Sequence, residues 1–144
     1  MENVVIIDSN FILLPIQFKI DYIREIRDKV EGSVKFVIYQ QVLDELNFKK
    51  KKFENSTRFA RELEAGVRYL KEINRVYDIK IINEVKNKEE STDDFLIRKC
   101  LELKEKNKKI FLATNDIELR KKARDSGVNL IFLRQKKYLD INYC

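Results

Sequence analysis

The sequence contains no histidine. Among its 144 residues there are also only three glycines, one proline and two cysteines. The absence of histidine excludes Ser-His-Asp and Cys-His catalytic machinery, cleavage by histidine general acids and bases, and most zinc sites. Any catalysis must therefore rest on carboxylates, hydroxyl groups, lysine, arginine or a metal ion.

The two cysteines, Cys100 and Cys144, show no pairing pattern. We therefore expect reduced thiols and a cytoplasmic setting. Long hydrophobic runs are lacking as well, since Val4–Ile7 and Phe11–Leu14 are far too short to cross a bilayer. The first residues do not resemble a signal peptide. The sequence thus predicts no association with a membrane.

Positive charge is in moderate excess. There are 30 Lys and Arg residues against 24 Asp and Glu residues, which gives a net charge of +6. This balance suits an anionic partner such as nucleic acid. The 38% of charged residues, with much Lys, Glu and Ile, is equally typical of a thermophile whose surface carries many ion pairs. Both interpretations remain open on composition alone.

Five short runs rich in β-branched and aromatic residues alternate with helical patterns along the chain. This alternation predicts βαβ units, a mostly parallel sheet of about five strands and helices on both faces. The length predicts a single domain over residues 1–144 with a real core. The predicted strands are Val4–Ile7, Lys35–Tyr39, Ile79–Ile82, Ile110–Ala113 and Leu130–Leu133.

Acidic residues follow each of the first four predicted strands. They are Asp8, Asp44 with Glu45, Asp93 with Asp94, and Asp116. Because sites in open α/β sheets form at the carboxyl ends of strands, we expect these acids at one edge. Two carboxylates about 4 Å apart repel by about 4 kcal/mol at an effective dielectric of about 20. An all-oxygen cluster that binds Mg²⁺ or Mn²⁺ would relieve this repulsion. The pattern therefore predicts a metal-dependent phosphodiesterase.

Each of these acids also has a purely structural alternative. Asp94 fits the last position of a capping box, and Asp8 could cap a short helix. Helical periodicity places Glu45 nearer the apolar face than Asp44, which points to solvent. For Asp93 and Asp94 the periodicity does not decide which one faces the sheet.

The chain resembles the PIN-domain ribonuclease family over essentially its whole length. In particular, it is similar to archaeal PIN proteins that resemble both VapC-type toxins and the PIN endonuclease of eukaryotic small-subunit rRNA processing. The ordered set of four acids carries the likeness more than any single one. The matching motifs are Asp8-Ser9-Asn10, Glu45 in "LDEL", Asp94 in "DDFLI" and Thr114-Asn115-Asp116.

The resemblance implies a three-layer α/β/α fold and an endoribonuclease that uses one or two Mg²⁺ or Mn²⁺ ions. It also implies products with a 5′-phosphate and a 3′-hydroxyl. In the family the third acid precedes an apolar x-x-Ile pattern, which favours Asp94 over Asp93. Asn10 and Thr114 would support the acids by hydrogen bonds. The implied catalytic and metal-binding residues are Asp8, Glu45, Asp94 and Asp116, with Asp93 as the alternative ligand.

Two basic segments near the acidic junctions are candidates for contacts with RNA phosphates. They are Lys49, Lys50, Lys51 and Lys52, and Arg134, Lys136 and Lys137. Phe48 and Phe53 flank the first segment and would either stack on bases or belong to the core.

The resemblance further implies partners. A homodimer would form through the long helix predicted at Thr57–Tyr77, and an antitoxin protein or a pre-ribosomal particle would be the larger partner. The alternative function is a non-catalytic RNA-binding or ribosome-assembly factor that keeps the same fold. It predicts RNA binding without metal-dependent cleavage.

Overall fold

The computed structural model describes residues 2–52 and 57–144, so Phe53 lies outside the described residues. Within them the chain forms one six-stranded sheet and seven helices. The strands are β1 (Asn3–Ile7), β2 (Val34–Tyr39), β3 (Ile79–Ile82), β4 (Lys109–Ala113), β5 (Asn129–Arg134) and β6 (Tyr138–Asn142). The helices are α1 (Ser9–Ile12), α2 (Leu14–Gln17), α3 (Tyr22–Lys29), α4 (Gln40–Lys52), α5 (Thr57–Ile73), α6 (Thr92–Glu105) and α7 (Ile117–Asp125).

The strand order is β3-β2-β1-β4-β5-β6, and all neighbouring pairs up to β5 are parallel. Helices connect the parallel strands, as parallel pairing requires. The order reverses between β1 and β4, since the chain runs outward through β2 and β3 before it returns to β4. This switch point is where ligands bind in open α/β sheets.

The expectation of about five strands missed β6, which pairs antiparallel with β5. Arg134 and Tyr138 are paired at the hairpin, and Gln135 and Lys136 both have φ of 55°. Such a tight hairpin needs left-handed backbone at its centre, which is usually signalled by Asn or Gly. Because Gln and Lys stand here instead, the turn carried no signal in the sequence.

The helices form two packed groups. Helices α6 and α7 contact each other and lie on β4 and β5, whereas α1, α2, α4 and α5 pack together and α3 lies on β6. The predicted three-layer α/β/α architecture is confirmed. The central strand β1 is buried along its whole length, as its apolar sequence requires. None of the described helices is both long and apolar enough to cross a membrane.

The apolar face of helix α5 packs against other helices of the same chain. Leu63 and Leu70 are buried, and the helix packs on α1, α2 and α4. It ends at Ile73, one turn earlier than the sequence pattern suggested. The apolar face proposed for dimerisation is therefore already used inside the chain. The homodimer stays a prediction, and another surface would have to form it.

Gly66 permits the closest approach of α5 to the strand-to-helix junction. A Cβ atom at this position would lie 2.6 Å from the backbone oxygen of Ile12 in α1. We expect Gly66→Ala to lower the free energy of unfolding by about 1–3 kcal/mol, although alanine favours helices. Urea unfolding measures this, with Arg61→Ala on the exposed side of α5 as the control. An unchanged midpoint would mean that α1 can shift without cost.

Glu90 and Arg98 form an ion pair that anchors the loop before α6. Arg98 donates from Nε and Nη2 to both Glu90 carboxylate oxygens at 2.9 Å, and these bonds hold the pKa of Glu90 down to about 2. A lowered folded-state pKa stabilises the fold above the ordinary pKa of 4.5, and this stabilisation is lost as the pH falls towards 2.

We therefore expect Glu90→Gln to lower the melting temperature at pH 7 but to have little effect near pH 2. Melting curves across this pH range test the expectation, with the exposed neighbour substitution Glu89→Gln as the control. A deficit that does not shrink in acid would contradict the role of the ion pair.

Candidate functional site

A cavity of about 860 Å³ opens at the switch point of the sheet. Four carboxylates from four different junctions line it: Asp8 after β1, Glu45 on α4, Asp93 on α6 and Asp116 after β4. The parallel strands deliver the first residue of each following helix to the same edge, which is why acids distant in sequence meet here. Asp44, Lys49 and Lys86 also contribute to the lining.

Asp8 is the most rigidly held of the four acids. It is buried, its Oδ1 accepts from the Ser9 backbone N–H at 2.8 Å, and its Oδ2 accepts from the Thr114 hydroxyl at 2.7 Å. Burial raises the pKa of Asp8 above its ordinary value, and the hydrogen bonds from Thr114 and Ser9 oppose this. The negative charges of Asp93 and Glu45 raise it further. Hydrogen bonds thus hold the Asp8 carboxylate in one position, whereas burial and the neighbouring charges disfavour its negative charge.

Thr114 links two of the acids. Its side chain is fully buried, donates to Asp8, and accepts from the Asp116 backbone N–H at 3.1 Å. Asp116 itself begins α7, where its carboxylate accepts from the Leu119 N–H at 3.1 Å. The structural role expected for Asp116 as a helix cap and its place in the cavity therefore coexist. One carboxylate oxygen of a cap can face a ligand while the other faces the helix.

Glu45 leans into the cavity from the first turns of α4. Its Oε1 accepts a short hydrogen bond from the Thr92 hydroxyl. The neighbouring Asp44 is exposed and accepts from Gln40 at 2.9 Å. Glu45 is thus the less exposed of the two acids, as the helical periodicity of α4 predicted, although both line the cavity. Thr92 was missed by sequence reasoning, and its only signal is its place directly after the helix cap Ser91.

Of the two acids at the start of α6, the structure places Asp93 rather than the expected Asp94 in the cavity. Asp93 lines the cavity, and partial burial followed by the negative charge of Asp116 raises its pKa. Asp94 is exposed and pairs with Lys122 on α7 at 3.2 Å. Both acids lie in the first turn of α6, where Ser91 accepts from the Asp94 N–H. This cap turns the Asp94 side chain towards α7 and leaves Asp93 facing the sheet edge.

Asn10 and Asn115 form a second layer beside the acids. The Asn10 Oδ1 accepts from the Asn115 backbone N–H at 3.2 Å, and the Asn115 Oδ1 accepts from the Leu133 backbone N–H at 2.8 Å. The support expected from Thr114 is therefore direct, whereas Asn10 acts on the loop after β4. The sequence did not single out Asn115 for a role of its own.

The basic segments predicted to contact RNA differ in their position. Lys49 lines the cavity, and Phe48 beside it is 69% exposed and also lines it, so Phe48 does not belong to the core. Lys50 lies 3.9 Å from Glu64, and Lys51 and Lys52 are exposed at the end of α4. Of the second segment, Lys136 and Lys137 are exposed in the β5–β6 turn, whereas Arg134 pairs with Asp140 at 3.0 Å.

The carboxylates of the site concentrate negative charge but are not yet close enough together to form a set of metal ligands. Within residues 2–52 and 57–144, no group of three or more acidic or cysteine side chains is already arranged as a ready-made metal site. The donors are nevertheless all oxygen, and the raised pKa values of Asp8 and Asp93 reflect burial and mutual repulsion. Hard divalent cations such as Mg²⁺ and Mn²⁺ favour such donors and neutralise such charge. The oxygen donors of the site are therefore chemically suited to bind Mg²⁺ or Mn²⁺.

Comparisons with known proteins agree on one family. A family model described as "PIN like domain" matches residues 5–136. Ribonuclease VapC4 from Methanocaldococcus jannaschii is 23% identical over 136 residues, which cover 93% of this chain and 92% of the relative. The solved structure of the PIN domain endonuclease Utp24 has a TM-score of 0.67 at 21% identity, over 98% of this chain and 92% of that one. A domain of a functionally unknown protein from Methanocaldococcus jannaschii has a TM-score of 0.60 at 20% identity, over 91% of each chain.

Proposed function

This chain belongs to the PIN-like domain family, and from that premise we propose that it is an endoribonuclease that depends on Mg²⁺ or Mn²⁺. The observation that carries the proposal is the convergence of Asp8, Glu45, Asp93 and Asp116 on one cavity at the switch point of the sheet. Nuclease activity is named for both VapC4 and Utp24, to which the chain is similar over nearly its whole length.

Asp8, Asp93 and Asp116 would hold the first ion, and Glu45 would contribute to a second or orient a water. A bound divalent cation supplies Lewis-acid chemistry, because it lowers the pKa of water and offsets charge on phosphate oxygens. Since the carboxylates are not already grouped as a ligand set, binding must draw their side chains together. Asp94 no longer has a part in this proposal.

The protein's own groups would perform the remaining tasks. Thr114 keeps the Asp8 carboxylate in one orientation, and the hydroxyl of Thr92 aims Glu45 across the cavity. Glu45 is thereby suited to accept a proton from the attacking water. Lys49 and Lys86 bring positive charge to the cavity wall, where a phosphodiester would lie. The proposed reaction is direct hydrolysis to a 5′-phosphate and a 3′-hydroxyl, as the resemblance to PIN-domain ribonucleases implies.

RNA is the proposed substrate because positive side chains and one exposed aromatic ring surround the acids. Phe48, 69% exposed beside Lys49, is placed to stack on a base of a single strand. Lys51, Lys52, Lys136 and Lys137 would follow the phosphate backbone further out. The proposed substrate class is structured or ribosomal RNA in the cytoplasm, with a pre-ribosomal particle as the larger partner.

A second candidate is a VapC-like toxin that an antitoxin protein holds inactive. The alignment with Ribonuclease VapC4 over 93% of this chain favours it. The chemistry is the same and only the partner differs. Expression of the chain alone should then arrest growth of a host cell, and Asp8→Asn should relieve the arrest. Growth that is equal for the two proteins would count against the toxin role.

Incubation with ribosomal RNA tests the proposed activity. In the presence of Mn²⁺ we expect discrete cleavage, with ends that carry a 5′-phosphate and a 3′-hydroxyl. EDTA should abolish it. Binding of the RNA without cleavage under any divalent ion would instead favour the non-catalytic assembly factor. Ends with a 2′,3′-cyclic phosphate would contradict direct hydrolysis, because they arise from attack by the ribose 2′-hydroxyl.

A further inference from the structure

A second cavity of about 540 Å³ adjoins the acidic one, and the Asn10 side chain lines both. We propose that this base cavity, lined by Asn10, Phe18, Asn115, Leu133, Gln135 and Lys136, receives one nucleobase next to the cleaved phosphate and prefers guanine to adenine. The inference rests on the proposed function, since the occupant is a nucleotide of the RNA substrate.

The orientation of both amide groups follows from their hydrogen bonds. The partner of Asn10 Oδ1 is the Asn115 N–H, and the partner of Asn115 Oδ1 is the Leu133 N–H. A backbone N–H can only donate, so the side-chain oxygen of each residue must face it. Each NH₂ group therefore points the other way, and no hydrogen bond from either is seen within the described residues. Neither nitrogen is among the buried atoms without a partner, so both are accessible.

Asn10 and Asn115 both line the cavity, and the proposal assigns their NH₂ groups as two hydrogen-bond donors beside its apolar walls. Phe18 and Leu133 are half-buried and form the apolar part, and Lys136 adds a positive charge at the rim. Pockets that bind small ligands combine apolar walls with a few placed polar groups in this way, at volumes of about 300–1,000 Å³. A planar base with hydrogen-bond acceptors on one edge matches this lining.

Two hydrogen-bond donors that meet one edge of a base select an edge with two acceptors. Guanine presents O6 and N7 side by side, whereas adenine presents N7 next to the N6 amino group, which is itself a donor. Adenine would thus leave one Asn amide facing another donor. The two purines have the same size and stack alike, so the amides alone would discriminate between them.

The base cavity also lies on the path that a strand would take through the active site. Asn10 follows Asp8 by two residues and Asn115 directly precedes Asp116, so both amides lie close in sequence to proposed metal ligands. The exposed Lys136 also lines the cavity, where it would bind the next phosphate. A nucleotide seated here would therefore fix which phosphodiester reaches the acids.

Binding of short RNA to the full-length chain in EDTA tests the proposal without any cleavage. The probes are the heptamers AAAGAAA, AAAIAAA and AAAAAAA, where I is inosine, which keeps O6 and N7 but lacks the 2-amino group. By fluorescence anisotropy we expect the guanine and inosine heptamers to bind at least about fivefold more tightly than the adenine heptamer. Equal affinities for the three, or inosine that behaves like adenine, would overturn the proposal.

Asn115→Asp keeps the oxygen that faces Leu133 but replaces the NH₂ group with an acceptor. The ratio of guanine to adenine affinity should fall to about one or invert. Asn107→Asp makes the same change at an exposed position before β4, far from the cavity, and should leave the ratio unchanged. Melting curves verify that the variants fold, and Asn10→Asp repeats the test with the other amide.

A preference that persists in both cavity variants would overturn the assignment of these amides. The outcome is separable from the proposed function. A chain that shows the purine preference but never cleaves RNA with Mn²⁺ keeps its base site and loses its proposed activity. A chain that cleaves RNA but binds guanine and adenine heptamers equally keeps its proposed activity and loses its proposed base site.

Discussion

Asp8→Asn is expected to abolish Mn²⁺-dependent RNA cleavage while it stabilises the metal-free protein. Asp8 is buried among other acids, and its raised pKa means that the folded chain disfavours its charge. An amide of the same shape removes that charge, and it can still bond to Ser9 and Thr114 because the threonine hydroxyl can turn. Cleavage should fall at least about a hundredfold, since even partners of metal ligands cost 10–100-fold when lost.

Melting curves in EDTA measure the opposite effect on stability. We expect the melting temperature to rise by about 2–4 °C, the shift that about 1 kcal/mol produces in a chain of this size. The gain should be present at neutral pH and vanish well below pH 4, where Asp8 is protonated in both folded and unfolded chains. Asp28→Asn, an exposed substitution on α3, is the matched control. A variant that both cleaves normally and melts normally would remove Asp8 from the site.

Asp93→Asn and Asp94→Asn should behave in opposite ways although the two residues are adjacent. Asp93 lines the cavity, so its loss should lower cleavage at least about a hundredfold. Asp94 forms an exposed ion pair with Lys122, which is worth about 0–1 kcal/mol. We expect Asp94→Asn to cleave RNA within about twofold of the unmodified chain, since this pair lies outside the cavity lining.

Cleavage rates at saturating Mn²⁺, measured on one RNA for all three proteins, check this pair. The two variants have the same charge and the same helix, so any difference in rate reports position alone. If Asp94→Asn lost activity and Asp93→Asn kept it, the first turn of α6 would have to rotate when the ion binds. The family pattern would then be the better guide.

The convergence of acids at one edge of the sheet could be predicted from the sequence, because it depends only on the positions of strands, helices and acidic residues along the chain. Apolar runs mark the strands, alternation with helices makes them parallel, and parallel strands end at one edge. Asp8 and Asp116 were placed there by their position after a strand, and Glu45 by the helical periodicity of the segment after β2. The absence of histidine then limited the chemistry to oxygen donors. None of these steps depends on the exact direction of a side chain.

The features that the sequence did not predict depend on local backbone and side-chain geometry. Asp93 and Asp94 differ by one position in a first turn, where the cap bond from Asp94 to Ser91 decides which carboxylate faces the sheet. The β6 hairpin turns on Gln135 and Lys136 with left-handed backbone, which their residue types do not signal. The donor character of Asn115 appears only when its oxygen is seen to face a backbone N–H.

The central claim is that four carboxylates at the switch point form one divalent-cation site. Calorimetric titration of Mn²⁺ into the metal-free chain tests it most directly, with Asp93→Asn and Asp94→Asn measured beside it. The account predicts that the unmodified chain and Asp94→Asn bind one or two ions with similar affinity, and that Asp93→Asn binds at least about tenfold more weakly. Equal binding by Asp93→Asn, or no binding by the unmodified chain, would contradict it.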